Sequence, residues 1–281
     1  MFSTMYRLKT FMLMVLLTVI LIVLGGAIAG EGGLILAFGF ALVLNFVSYW
    51  YSDRIAIKMT KSKPLPEDEA PNLHRMVADL SKKADLPKPD VYITPSQQPN
   101  AFATGRNPDN AAIALTEGIV DMLDKEELEG VIAHELSHIR NRDTLISTIT
   151  AVMAGALAFL ARMGRYRMLF GRRNRGAGAL IQIVALIFAP LAAIIVKMAI
   201  SRTREYKADS SAAQISGNPD GLASALDKMD RYIQGKDHKM EVNEATSHMF
   251  ILNPLSREGM SKLFSSHPAT EDRISRLQQM R

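Results

Sequence analysis

Two histidines and a glutamate set the chemistry open to this chain. They lie in His134-Glu135-Leu136-Ser137-His138, within a stretch whose apolar residues Leu128, Val131, Ile132 and Ile139 recur at helical spacing. Residues four apart on a helix differ by roughly 40° around its axis, so His134 and His138 face the same way one turn apart. Two imidazoles so placed can meet one tetrahedral Zn²⁺ at about 2.0–2.1 Å. Glu135 is rotated by roughly 100° from His134. It can stand beside a metal there without being a ligand, as a general base for hydrolysis must. The pattern fixes only three positions, and two surface histidines with an ordinary helical glutamate would read the same.

A catalytic zinc with two histidine ligands needs a third protein ligand and one position left for water. The chain has no cysteine, which excludes thiolate zinc sites, disulfides and cysteine nucleophiles. No histidine follows at the spacing of the longer HExxHxxGxxH pattern. The best candidate is Glu205, in Arg202-Thr203-Arg204-Glu205-Tyr206-Lys207-Ala208-Asp209. Glu205 and Asp209 are again four apart, so Glu205 can ligate while Asp209 accepts the outer N–H of a zinc-bound histidine. A charged face on a solvated helix would show the same pattern.

These side chains need a framework. Of 281 residues, 48% are hydrophobic, 7% aromatic and 22% charged, with 16 methionines, so the apolar excess is aliphatic. The mean hydropathy is +0.07. The excess is concentrated in four uncharged runs, 11–30, 34–51, 145–161 and 176–196. That excludes a disordered chain and argues against a purely soluble one. The first two runs predict helices of membrane-spanning length joined by a tight turn at Gly30–Gly33. Tyr49, Trp50 and Tyr51 form an interfacial belt at their end. Arg7 and Lys9 lie before the pair and Arg54, Lys58, Lys61 and Lys63 after it, which places both flanks in the cytoplasm. The later pair is separated by an arginine-rich linker, 162–175, and is expected to enter the bilayer, with full crossing left open. The net charge of +5 sits mostly beside these runs, as juxtamembrane charge does, so nucleic acid is a poor partner.

Three parts follow: a transmembrane hairpin at 1–51, a cytoplasmic hydrolytic domain built from 52–144 and 197–281, and a second apolar pair at 145–196. The middle of the chain predicts a helix over 72–84, a strand over 91–94, a Pro-, Asn- and Gly-rich loop over 97–110 and a strand over 111–116. Asp124 and Glu127 make a capping-box pair for a helix that starts at Lys125 and continues toward the third apolar run. Further helices are expected from Asn218 and after Thr270, with a polar segment over 235–247 between them.

Taken together, the apolar hairpin, Asn100-Ala101-Phe102-Ala103-Thr104-Gly105, the HELSH segment, the apolar pair, SRTREYKAD at 201–209, and Phe264-Ser265-Ser266-His267-Pro268 with Arg273 resemble the HtpX-type integral-membrane zinc metalloproteases. The resemblance spans almost the whole chain, with no departure at the metal positions. It implies an α+β, mostly helical, zincin-like (gluzincin-type) protease domain, with the second apolar pair inserted between the zinc-ligand helices. It implies one zinc on His134, His138 and Glu205, with Glu135 catalytic. It also implies cleavage of damaged or unassembled membrane proteins at the cytoplasmic face of a bacterial plasma membrane. In this family the His-Pro segment and the following arginine lie near the cleft, so His267 and Arg273 are expected to steady the substrate or the developing oxyanion. The strand 111–116 precedes the zinc helix as the substrate-aligning edge strand does in zincin-type proteases. Ala111, Ala112, Ile113 and Ala114 would then pair with a peptide by strand addition. The related CAAX prenyl endopeptidases have more membrane spans than these four runs supply. Two other readings stay open: a non-catalytic membrane adaptor that keeps a structural zinc, for which Glu135 would be superfluous, and a zinc esterase or amidase.

Overall fold

The structure, a computed structural model, describes residues 2–153, 202–235, 251 and 268–281. Its N-terminal helical segment α1 (Phe2–Trp50) folds back on itself at Gly30, whose φ of 60° is open to glycine at little steric cost. The two arms then run side by side. The Asn45 amide donates to the Met14 carbonyl at 3.2 Å and to Thr18 Oγ1 at 2.8 Å. The second arm, Gly30–Trp50, is 21 residues long and apolar enough to cross a membrane. Its outer face carries aliphatic and aromatic side chains in the open, with Leu36 76% exposed. Such a continuous apolar belt in water would be costly, and lipid removes the cost.

A short helix, α2 (Ser52–Met59), leads into a four-stranded sheet. The strands are β1 (Lys63–Pro64), β2 (Asp90–Thr94), β3 (Ala101–Asn107) and β4 (Asn110–Thr116), in the order β1-β2-β4-β3. The helix α3 (Pro71–Lys83) opens with proline at its start and connects β1 to β2. β2 and β4 pair in parallel, with Val91 opposite Ile113, and β3 and β4 pair antiparallel, with Ala103 opposite Ile113.

Two expectations are corrected here. Residues 97–110 are not all loop: Ala101–Asn107 form β3. β4 is not an edge, because β2 and β3 occupy its two sides, so Ala111, Ala112, Ile113 and Ala114 have no free ladder for a peptide. β4 is buried along almost its full length, as an interior strand should be. The edge next to it is β3.

After α4 (Glu117–Met122) comes the helix that carries HELSH, α5 (Lys125–Asn141). Its start is fixed by the full capping box: Asp124 accepts from the Glu127 N–H and Glu127 accepts from the Asp124 N–H, both at 3.0 Å. It stops earlier than expected. Arg142 takes the left-handed conformation (φ 60°, ψ 32°), and a separate apolar helix, α6, runs from Asp143 to Met153. The remainder of the second apolar pair, its arginine-rich linker and residues 236–250 lie outside the described residues.

Three more helices complete the described fold: α7 (Arg202–Ser216), α8 (Pro219–Gly235) and α9 (Thr270–Gln278). α5 packs against α7 and α8 over a core that includes Val131, Ile132, Leu136, Ala212, Leu222 and Leu226, all fully buried. Gly130 makes the close approach possible, since a Cβ there would lie 2.5 Å from the Leu222 nitrogen. A second apolar cluster joins Leu13, Leu17, Ile20, Leu21 and Leu24 of α1 to Leu145, Ile146, Ile149 and Met153 of α6.

Candidate metal centre

The metal-ligating atoms come from α5 and α7, which pack directly together. His134 and His138 Nε2 lie 3.2 Å apart on one face of α5. Glu205, in the first turn of α7, brings Oε2 within 3.6 Å of His134 Nε2 and Oε1 within 3.7 Å of His138 Nε2. These three residues each offer an atom to one small volume, all within 4.8 Å of one another. Two ligands bonded at about 2.0–2.1 Å to a tetrahedral zinc stand about 3.3 Å apart. The observed separations match that requirement, so the donor set fits a three-ligand metal site with a position to spare. The three positions expected from sequence are thus brought together.

The outer nitrogens of both rings also face carboxylates. Asp209 Oδ1 lies 3.0 Å from His134 Nδ1, as its position one turn beyond Glu205 led us to expect. Asp209 in turn is gripped by Arg273, whose Nη2 and Nε donate to its two oxygens at 2.7 and 2.9 Å. Burial alone would raise the pKa of Asp209, but the adjacent guanidinium outweighs it and holds the carboxyl down at about 2. Burial alone would lower the pKa of His134, yet Asp209 and Glu205 outweigh it and raise the value to about 9.

Arg273 is not placed as expected. It is fully buried, and its remaining Nη1 donates to the Ile251 carbonyl at 3.0 Å. Its donors are turned to Asp209 and the backbone rather than offered to a substrate, so its place is behind His134 and not beside a reacting carbonyl. His267 lies outside the described residues.

Glu135 is buried next to the two histidines. Burial pushes its carboxyl up, while the two imidazoles and the Ala103 N–H pull the other way. The Ala103 contact matters for position: it ties the candidate base to the edge strand β3.

Sequence reasoning missed Asp143. Its Oδ2 lies 3.2 Å from His138 Nδ1, and Arg204 Nη1 is 3.6 Å from its Oδ1. Asp143 is five residues beyond His138, off the shared face of a continuous helix, and only the break at Arg142 brings it back. An available signal was an acidic residue two positions before the apolar run at 145.

A family model described as Peptidase family M48 matches residues 67–281. The chain is 51% identical over 276 residues to the protease HtpX homolog of Ralstonia pickettii (strain 12J), covering 97% of this chain and 96% of that protein. It is 49% identical over 281 residues to the protease HtpX homolog of Pelotomaculum thermopropionicum, covering 98% and 99%. In fold it is similar to the crystal structure of S. mikatae Ste24p, with a TM-score of 0.50 at 19% identity. That similarity covers 86% of this chain and 57% of the other, so the chain spans little more than half the length of the solved protein.

Proposed function

Because the chain belongs to peptidase family M48, and is therefore a metalloprotease, we propose that it is a membrane-anchored zinc endopeptidase. In this reading it cleaves damaged or unassembled membrane proteins at the cytoplasmic face of a bacterial plasma membrane. The observation that carries the zinc assignment is the convergence of His134 Nε2, His138 Nε2 and Glu205 on one volume, with Glu135 beside it. Nitrogen and carboxylate donors without sulfur suit zinc at a hydrolytic site. Bound there, zinc would supply Lewis acidity and bring the pKa of a water down to about 7.

The protein groups do the rest. Glu135 takes the proton as water attacks the peptide carbonyl, then delivers it to the leaving amine. Asp209 fixes the ring of His134 so that Nε2 faces the metal position, and Arg273 fixes Asp209. Substrate strands align on β3, whose outer edge reaches Glu135 through Ala103. Main-chain pairing there is independent of sequence, which suits an enzyme for varied damaged chains.

The hairpin of α1 crosses the bilayer with both ends in the cytoplasm, as its basic flanks require. Its exit is held at the interface: Arg106 of β3 lies 5.1 Å over the Trp50 ring and donates to the Trp50 carbonyl. The test is a casein-cleavage assay on the detergent-purified protein with metal analysis. About one zinc per chain and activity lost on chelation, then restored by zinc, are expected. A metal-free active preparation would overturn the proposal. Orientation is checked separately, since a cysteine replacing Lys61 should escape labelling from outside intact cells.

A further inference from the structure

We infer that Asp143 is a positioning residue for His138, held in place by Arg204 and by the seam between the hydrolytic core and the apolar bundle. The inference rests on the zinc reading above. His138 must present Nε2 toward Glu205 and His134 to serve as a ligand, so its Nδ1 must carry the proton and point elsewhere. It points at Asp143 Oδ2, 3.2 Å away. A carboxylate there selects that tautomer, locks the ring and makes Nε2 a better donor.

Asp143 is itself buried, which costs free energy unless charge partners compensate. Arg204 supplies one at 3.6 Å, from the residue adjacent to the ligand Glu205. The order of groups is the one behind His134, where Arg273 grips Asp209 more tightly, at 2.7 and 2.9 Å. Each imidazole thus has a carboxylate behind it and an arginine behind the carboxylate.

The position of Asp143 is not set by α5, because Arg142 ends that helix. It is set by α6. Thr144 Oγ1 donates to the Gly105 carbonyl of β3 at 2.8 Å, and Thr148 lies 3.1 Å from Thr104. On its other face Leu145, Ile146 and Ile149 pack into the cluster with α1. The membrane-side bundle therefore fixes a group that orients a metal ligand.

The experiment measures zinc affinity of the full-length protein in detergent, by competition with a chromophoric chelator. The visible spectrum of the cobalt-substituted protein gives a second readout. Asp143→Ala should weaken zinc roughly 10- to 100-fold and alter the cobalt spectrum, with the secondary structure retained. Asp143→Asn keeps the size and an acceptor oxygen but not the charge, so its affinity should fall by less than that of Asp143→Ala. It is also the variant to read if Asp143→Ala does not fold. Arg204→Gln should shift zinc affinity in the same direction by less. Wild-type affinity and spectrum in Asp143→Ala, or Asp143→Asn no better bound than Asp143→Ala, would overturn the inference. A wild-type protein that binds no zinc would instead overturn the reading of the site.

Discussion

The metal centre and the apolar bundle are built on opposite terms. Around the metal position, Glu135, Glu205, Asp209, His134 and Arg273 are all buried, with Asp209 between His134 and Arg273 and Glu205 against His134. In the bundle, Leu13, Leu17, Ile146 and Ile149 meet with no charged partner among the described residues, and one amide, Asn45, links the arms of α1. Burying charge is expensive, so the metal centre is justified by what its geometry does. Apolar contacts tolerate exchange, and lipid on the outer face competes with them on nearly equal terms. One region should fail on single-atom changes and the other should absorb them.

The largest expected effect follows from the donor count. Glu205→Ala leaves two imidazoles, too few to hold catalytic zinc, so metal analysis should find most of the zinc gone and cleavage abolished. Full zinc occupancy in that variant would place the third ligand elsewhere. Asp209→Asn keeps the shape behind His134 but loses the charge that Arg273 grips. Zinc affinity or kcat/KM should fall by about 10- to 100-fold.

At the edge of β3 a smaller change is expected. Ala103→Pro removes the N–H that meets Glu135 and would distort an aligned peptide. Peptide cleavage should drop, through KM as well as kcat, with zinc retained. Unchanged kinetics would remove β3 from the mechanism. The bundle should give the smallest response. Asn45→Leu removes hydrogen bonds to Met14 and Thr18, contacts worth on average about 0.6 kcal/mol within a bilayer. Zinc occupancy should stay at the wild-type level. A large loss of zinc would break the contrast drawn above.

Local signals made half of this site legible. The HELSH spacing, the capping box at Asp124 and the Glu205–Asp209 pair depend on helix periodicity, which survives without knowledge of partners. What escaped depends on pairing. β3 is written in residues such as Gly105 and Asn107 that also suit a loop, and its strand state comes from β4 beside it. Which strand forms the edge is a property of sheet order, invisible along the chain. Asp143 was hidden because a left-handed Arg142 resets the helical phase. Arg273 comes from α9, 64 residues beyond its partner Asp209, and no spacing rule reaches that far.

The central claim is that Glu135 serves as the base and not as a ligand. Glu135→Gln preserves shape and hydrogen bonding but cannot accept a proton. Zinc content, melting temperature and peptide-cleavage rate should be measured side by side on the wild type and this variant. About one zinc per chain, an unchanged fold and a rate lower by at least ~10²-fold are predicted. A variant that loses its zinc would make Glu135 a ligand, and one that keeps zinc and cleaves at the wild-type rate would contradict the account outright.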